Sequence, residues 1–181
     1  MIVVLIGPSA AGKSTVARRL DSAEQVWVVP TYTTRPPRAE ERWGSVDHRF
    51  CGDVEFDAML ARGRFAATGT LPGLGHRYGL PTLPKGATRP LLVVGRARHV
   101  DALRRLGHHS VVYLITDDAE RCSQRLTNRA TDPIETRARL REHVAEVDAG
   151  RAMADRVFHN NGSLDRLVAD VADALHTDRK D

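Results

Sequence analysis

The sequence predicts an α/β fold, a three-layer sandwich around a five-stranded, mostly parallel sheet, and three observations carry that prediction. Short apolar runs alternate with amphipathic segments of helical period along the chain. The first run, Ile2-Val3-Val4-Leu5-Ile6, enters a glycine-rich loop made of Gly7, Pro8, Ser9, Ala10, Ala11, Gly12, Lys13, Ser14 and Thr15. A helical pattern through Val16, Ala17 and Leu20 follows at once, completing a strand, phosphate loop and helix.

The later elements are read in the same way. Val26-Trp27-Val28-Val29 is a short β-rich run ending at Pro30. Pro90-Leu91-Leu92-Val93-Val94 reads as a buried parallel strand, followed by a helix through Val100, Leu103 and Leu106 that stops at Gly107. Val111-Val112-Tyr113-Leu114-Ile115 is another strand, and Asp117-Asp118 open a helix carrying Cys122 and Leu126. A break at 128–133 separates it from a helix through Leu140, Val144 and Val147. Val157-Phe158 is the last strand, and Asn160-Asn161-Gly162 turns into a terminal helix with Leu164, Leu167, Val171 and Leu175 on one face.

Between the second and third of these strands the pattern changes. Residues 31–84 are rich in glycine, proline and arginine and predict no long regular element beyond a helix near Val54-Glu55-Phe56-Asp57-Ala58-Met59-Leu60. The segment reads as an insertion lying over a site at the C-terminal ends of the strands. The 181 residues fit one domain.

The loop dictates its own chemistry. Glycines let consecutive backbone N–H groups turn toward a di- or triphosphate, and the positive end of the next helix adds to that field. Lys13 is placed to reach the β and γ phosphates of a bound nucleotide, and Ser14 to put its hydroxyl on Mg²⁺. With no acidic residue after Val93-Val94, Mg²⁺ is expected to rest on Ser14, phosphates and water.

Composition narrows the partners. The net charge of +4 comes from arginines scattered through loops, and aromatics are too sparse for a base-stacking platform, so a small phosphorylated substrate is expected and nucleic acid is not. No apolar run is long enough for a membrane span, and Cys51 and Cys122 have neither disulfide nor zinc spacing, which points to a reducing, cytoplasmic setting. Oligomeric state is not readable.

Tyr32-Thr33-Thr34-Arg35-Pro36-Pro37-Arg38 and the arginine-bearing stretch from Arg121 to Leu140, taken with the phosphate loop, resemble the guanylate kinase group of P-loop kinases over nearly the whole chain. The resemblance implies a P-loop NTPase sandwich with an acceptor-binding insertion at about 31–84 and a helical lid at about 128–138. It implies that Arg35, Arg38 and Tyr78 hold the acceptor's phosphate, and that Arg129 and Arg139 act catalytically with Lys13 on the phosphoryl group in transfer. Guanidinium groups suit both tasks, gripping phosphate oxygens through paired charge-assisted hydrogen bonds.

One departure bears on the acceptor. Guanine offers N1–H and an amine side by side, which carboxylates read best, yet residues 58–100 contain no Asp, Glu, Asn or Gln. The two carboxylate places fall near Ala67 and at Val93-Val94-Gly95, while Arg62, Arg64, Arg77, Lys85, Arg89, Arg96 and Arg98 make the span basic. This argues against GMP. Gly95-Arg96-Ala97-Arg98-His99-Val100, Asp47-His48 and Asn160-Asn161-Gly162-Ser163-Leu164 instead resemble segments of ribose 1,5-bisphosphate phosphokinases. That likeness implies transfer from ATP to ribose 1,5-bisphosphate, giving 5-phosphoribosyl 1-diphosphate (PRPP), with His48 and Arg96 among the substrate contacts. GMP, another phosphorylated metabolite, or a phospho-binding module without catalysis remain alternatives. The acceptor oxygen is already ionised in these readings, so Asp47, Asp53 and Asp57, which lie among surface-type polar residues, are not needed as bases.

Overall fold

The computed structural model describes residues 1–38, 41, 44–70, 74–129 and 133–179. Part of the expected lid, residues 130–132, lies outside them. Five parallel strands form the central sheet: β1 (Ile2–Ile6), β2 (Trp27–Val29), β7 (Leu91–Val94), β8 (Val111–Thr116) and β9 (Arg156–His159), in the order β2-β7-β1-β8-β9. This is the predicted α/β sandwich.

Alternation along β1 distributes the core between two layers. Val3 and Leu5 face one side with Val16, Ala17 and Leu20 of α1 (Lys13–Ser22) and Leu167 and Val171 of α6 (Leu164–Asp178). Val4 and Ile6 face the other, with Val100 and Leu103 of α3 (Ala97–Arg105). The remaining large helices are α4 (Ala119–Asn128) and α5 (Pro133–Met153). Gly150 lets α5 approach the sheet closely, since a Cβ there would lie 2.7 Å from Leu114 Cδ1. At the far end of β8, Tyr113 donates to Asp178 Oδ2 at 2.5 Å and Arg156 pairs with the same carboxylate, tying the last turn of α6 to the sheet.

The insertion departs from expectation. Besides α2 (Asp53–Ala61) it contains a four-stranded sheet of β3 (Thr31–Thr33), β4 (His48–Phe50), β5 (Phe65–Thr70) and β6 (Arg77–Pro81), ordered β4-β3-β6-β5. Its strands are short, β5 and β6 each contain a glycine, and they pair across distant positions: β3 runs parallel to β4 but antiparallel to β6. Local pattern therefore carries little trace of them. Pro30 separates β2 from β3, so the chain leaves the first sheet and enters the second at a residue that cannot donate to either ladder. Phe56 of α2, Phe65 and Tyr32 stack as the apolar floor of this sheet.

Phe65 lies across the bare backbone of Gly79, where a Cβ would meet its ring at 2.6 Å. Gly79→Ala should push the ring aside and cost about 1–3 kcal/mol in urea unfolding. Unchanged stability would mean that Phe65 repacks freely.

Candidate active site

The C-terminal ends of the parallel strands converge on the phosphate loop. Gly7, Ala10 and Gly12 have positive φ (134°, 64° and 108°), so the loop depends on backbone conformations that side chains resist. A Cβ at Gly7 would lie 2.0 Å from the Ile115 carbonyl oxygen, which bars any substitution there. Asn160, at the end of β9 and buried, donates through Nδ2 to Ala11 O at 2.9 Å. Arg125 donates to Ala10 O at 3.0 Å and is ion-paired with buried Asp117 at 2.6 Å.

Inside the loop, Lys13 Nζ donates to Gly7 O (2.8 Å) and Pro8 O (2.7 Å). Burial pulls its pKa down to about 8, a shift opposed by Glu146 and reinforced by Arg96. Ser14 Oγ donates to Asp47 Oδ2 at 2.6 Å, and Ser45 Oγ to Oδ1 at 2.8 Å. Burial works against the charge on Asp47, but His48 and the two hydroxyls outweigh it and hold the carboxyl below its usual range. Asp47 is therefore a buried, ionised partner of the loop serine. The expectation that it sits among surface-type polar residues is corrected by its 2% exposure. Sequence spacing could not reveal this pair, since the two residues stand 33 positions apart.

The insertion supplies the opposite wall. Arg35, almost fully buried, makes a two-pronged contact with Glu41 (Nη1 to Oε2 2.8 Å, Nη2 to Oε1 3.0 Å) and lies over Phe50. Burial opposes ionisation of Glu41, but Arg35 and the Arg38 amide bring its pKa down to about 2. Arg38 is held more loosely, 3.7 Å from both Glu41 and Glu135, and its buried Nε–H has no partner among the described residues. His48 is paired through Nδ1 with Thr31 Oγ1 at 2.9 Å, and burial lowers its pKa against the pull of Asp47.

From α5, Arg139 grips Glu135 (Nε to Oε1, 2.7 Å) and reaches Ser9 Oγ in the loop at 3.3 Å. Arg96, at the end of β7, is ion-paired with Glu146 of α5. One cavity of about 120 Å³ gathers Gly7, Ser9, Ala10, Lys13, Ser14, Arg35, Arg38, His48, Tyr78, Arg96, Arg129 and Arg139. Pro8, Ala11, Gly12 and Thr15 complete the loop behind it. Of the basic residues counted in the 58–100 span, Arg96 and Arg98 line this cavity, whereas Arg77 turns outward to Asp53 and Asp57 and lies over Phe56.

Comparison with known proteins decides the family. Over 96% of its length this chain is 34% identical to the guanylate kinase of Corynebacterium diphtheriae, covering 93% of that protein. The chain belongs to the guanylate kinase family. The family member from Anaeromyxobacter dehalogenans is 36% identical, with 94% and 79% of the two chains covered, and that of Myxococcus xanthus 29%, with 99% and 87%. A crystal structure of guanylate kinase from Anaplasma phagocytophilum shares the fold, with a TM-score of 0.72 over 98% of this chain and 85% of that one at 21% identity. No family model matches the chain.

These relatives overturn the ribose 1,5-bisphosphate phosphokinase reading and the PRPP product that went with it. The segments behind that reading have work of their own in this family member. Asn160 clamps the phosphate loop and Ser163 caps α6 through the Arg166 amide. Gly95 makes room for His99, whose ring accepts from the Arg96 amide at the start of α3.

As a member of this family the protein is an ATP-dependent kinase working with Mg²⁺. Its residues fit both groups: a half-buried ammonium inside the loop for phosphate oxygens, and the Ser14 hydroxyl beside ionised Asp47 as hard oxygen ligands. Among the described residues, no helix is long and apolar enough to cross a membrane.

Two outcomes follow from this geometry. Phosphate favours charged Lys13, which the free loop loses above pH of about 8. ATP affinity should accordingly fall, by up to about tenfold per pH unit, as pH rises from 8 toward 10 in equilibrium titrations; a flat profile would contradict the lowered pKa. Asp47→Asn should raise the Mg²⁺ concentration needed for half-maximal nucleotide binding by about 10- to 100-fold. An unaltered Mg²⁺ dependence would leave Asp47 a purely structural partner of Ser14.

Proposed function

We propose that this protein transfers the γ-phosphoryl group of ATP to the phosphate of GMP. The observation that carries the reading is the single cavity in which Lys13 and Ser14 face Arg35, Arg38, His48 and Tyr78, in a chain whose relatives are named guanylate kinases.

Each residue has a role the geometry supports. Arg35, locked by Glu41 and Phe50, is a fixed cation at the back of the acceptor site. Arg38 is the adaptable one: its long contacts to Glu41 and Glu135, and an Nε–H without a partner among the described residues, let it turn to an incoming phosphate. The Tyr78 hydroxyl adds a donor on the same side and His48 a ring nitrogen, the two ring centroids lying 6.3 Å apart. Lys13, Arg129 and Arg139 neutralise the charge spread over the phosphoryl oxygens, the main task of a protein in such a transfer. Ser14 and Asp47 would hold Mg²⁺, which would supply further charge neutralisation at the donor phosphates.

The attacking oxygen is ionised at neutral pH and no side chain removes a proton from it. Catalysis then rests on bringing two anions together in a dry site. We assign closure to the insertion, 31–84, and the lid, 128–138, within one domain. The free thiols of Cys51 and Cys122 suit the reducing cytoplasm.

A coupled ADP-release assay with Mg²⁺, ATP and GMP tests the reading. GMP-dependent turnover is expected, and its absence with GMP bound would leave a binding module. Arg38→Lys should raise the KM for GMP by about 10- to 100-fold while leaving that for ATP nearly unchanged. Equal effects on both substrates would move Arg38 out of the acceptor site.

A further inference from the structure

The acceptor end of the cavity is lined by hydrogen-bond donors where a guanine-reading site calls for acceptors. Asp47 is the one carboxylate among its lining residues that are described, and both its oxygens are taken by Ser14 and Ser45. β5 and β7, the strands nearest the expected base, carry no acidic side chain.

Two residues of α3 stand there instead. His99 is 3% exposed and lines the cavity. Its Nδ1 accepts from the Arg96 amide at 3.3 Å, which puts the ring proton on Nε2, and that buried Nε2 has no partner among the described residues. Burial, with Arg98 and Arg96 close by, lowers the ring's pKa to about 3, so it is neutral at working pH. A neutral N–H donor suits a carbonyl or ring-nitrogen lone pair. Arg98 donates through Nη1 to Thr70 O at 3.1 Å, and its guanidinium lies against Gly69, where a Cβ would come within 2.8 Å of Nε. The buried Nε–H likewise has no partner among the described residues. Arg98 and His99 of α3 thus line the cavity, and each carries a buried donor without a partner among the described residues, a costly arrangement until an acceptor pairs with it.

We infer that Arg98 and His99 read the acceptor's base, donating to the O6 and N7 edge of a 6-oxopurine, and that the 2-amino group goes unread. The inference rests on the acceptor being a purine nucleoside monophosphate. Arginine is well shaped for the O6/N7 pair, an edge on which adenine replaces one acceptor with an amine. Facing N1–H and the 2-amine, by contrast, Arg98 and His99 would set donor against donor. Hypoxanthine keeps O6 and N7 and lacks only the 2-amine, so IMP is a substrate alongside GMP, whereas AMP is excluded at position 6.

Equilibrium binding of GMP, IMP and AMP to the full chain, with turnover measured in parallel, tests this. IMP should bind within about threefold of GMP and AMP should bind about 10- to 100-fold more weakly. Arg98→Ala should shrink the GMP-to-AMP ratio at least tenfold without altering ATP affinity. His99→Gln, which keeps one acceptor and one donor, should retain the preference that His99→Leu loses. A site reading the amine would reject IMP by about 10⁴-fold; IMP binding 100-fold or more below GMP would overturn the inference and leave the kinase reading standing. Equal binding of GMP and IMP without turnover would overturn the kinase reading and uphold the base reading. If neither nucleotide binds, both fall.

Discussion

Repulsion among the cations gathered in one cavity is the constraint on which this architecture depends. Lys13, Arg35, Arg38, Arg96 and Arg139 line one cavity of about 120 Å³. Two like charges 4 Å apart repel by about 4 kcal/mol at an effective dielectric constant of 20. The fold answers with carboxylates placed at the guanidinium groups: Glu41 on Arg35 and Arg38, Glu135 on Arg38 and Arg139, Glu146 on Arg96. The geometry of these pairs is graded, from the two-pronged Arg35 contact to the loose Arg38 one. Arg35 is thereby fixed in place, while Arg38 is the more loosely held of the two.

Both sheets serve that arrangement. The parallel sheet brings the ends of β1, β7, β8 and β9 together, so the loop, Arg96, Asp117 and Asn160 meet at one edge. The second sheet hangs from β2 by way of Pro30 and carries Arg35, His48 and Tyr78 across to face that edge. Asp47 joins the halves, being one residue from His48 on the acceptor side and hydrogen-bonded to Ser14 on the donor side. The insertion and the phosphate loop are joined through this single carboxylate.

What could be read from the sequence follows the range of the interactions. The loop from Gly7 to Thr15 and the alternating strands and helices are local patterns, and the fold class was legible from them. The insertion's sheet was not, because β3 and β6 pair across some forty residues of glycine-interrupted chain. Asp47 on Ser14 and Asn160 on Ala11 are long-range contacts without a motif. The missing carboxylates between 58 and 100 are visible in composition alone, whereas the segments 95–100 and 160–164, which resemble those of sugar-phosphate kinases, cap helices and brace the loop. A short arginine-rich or asparagine-rich match does not distinguish a substrate contact from a structural one; the burial and partners of each side chain do.

The most direct test of the account is the fate of label from [γ-³²P]ATP in a single turnover with Mg²⁺ and GMP. The account predicts that the label appears in GDP with only a trace released as inorganic phosphate. Label remaining in ATP with GMP bound, or lost to inorganic phosphate, would contradict it.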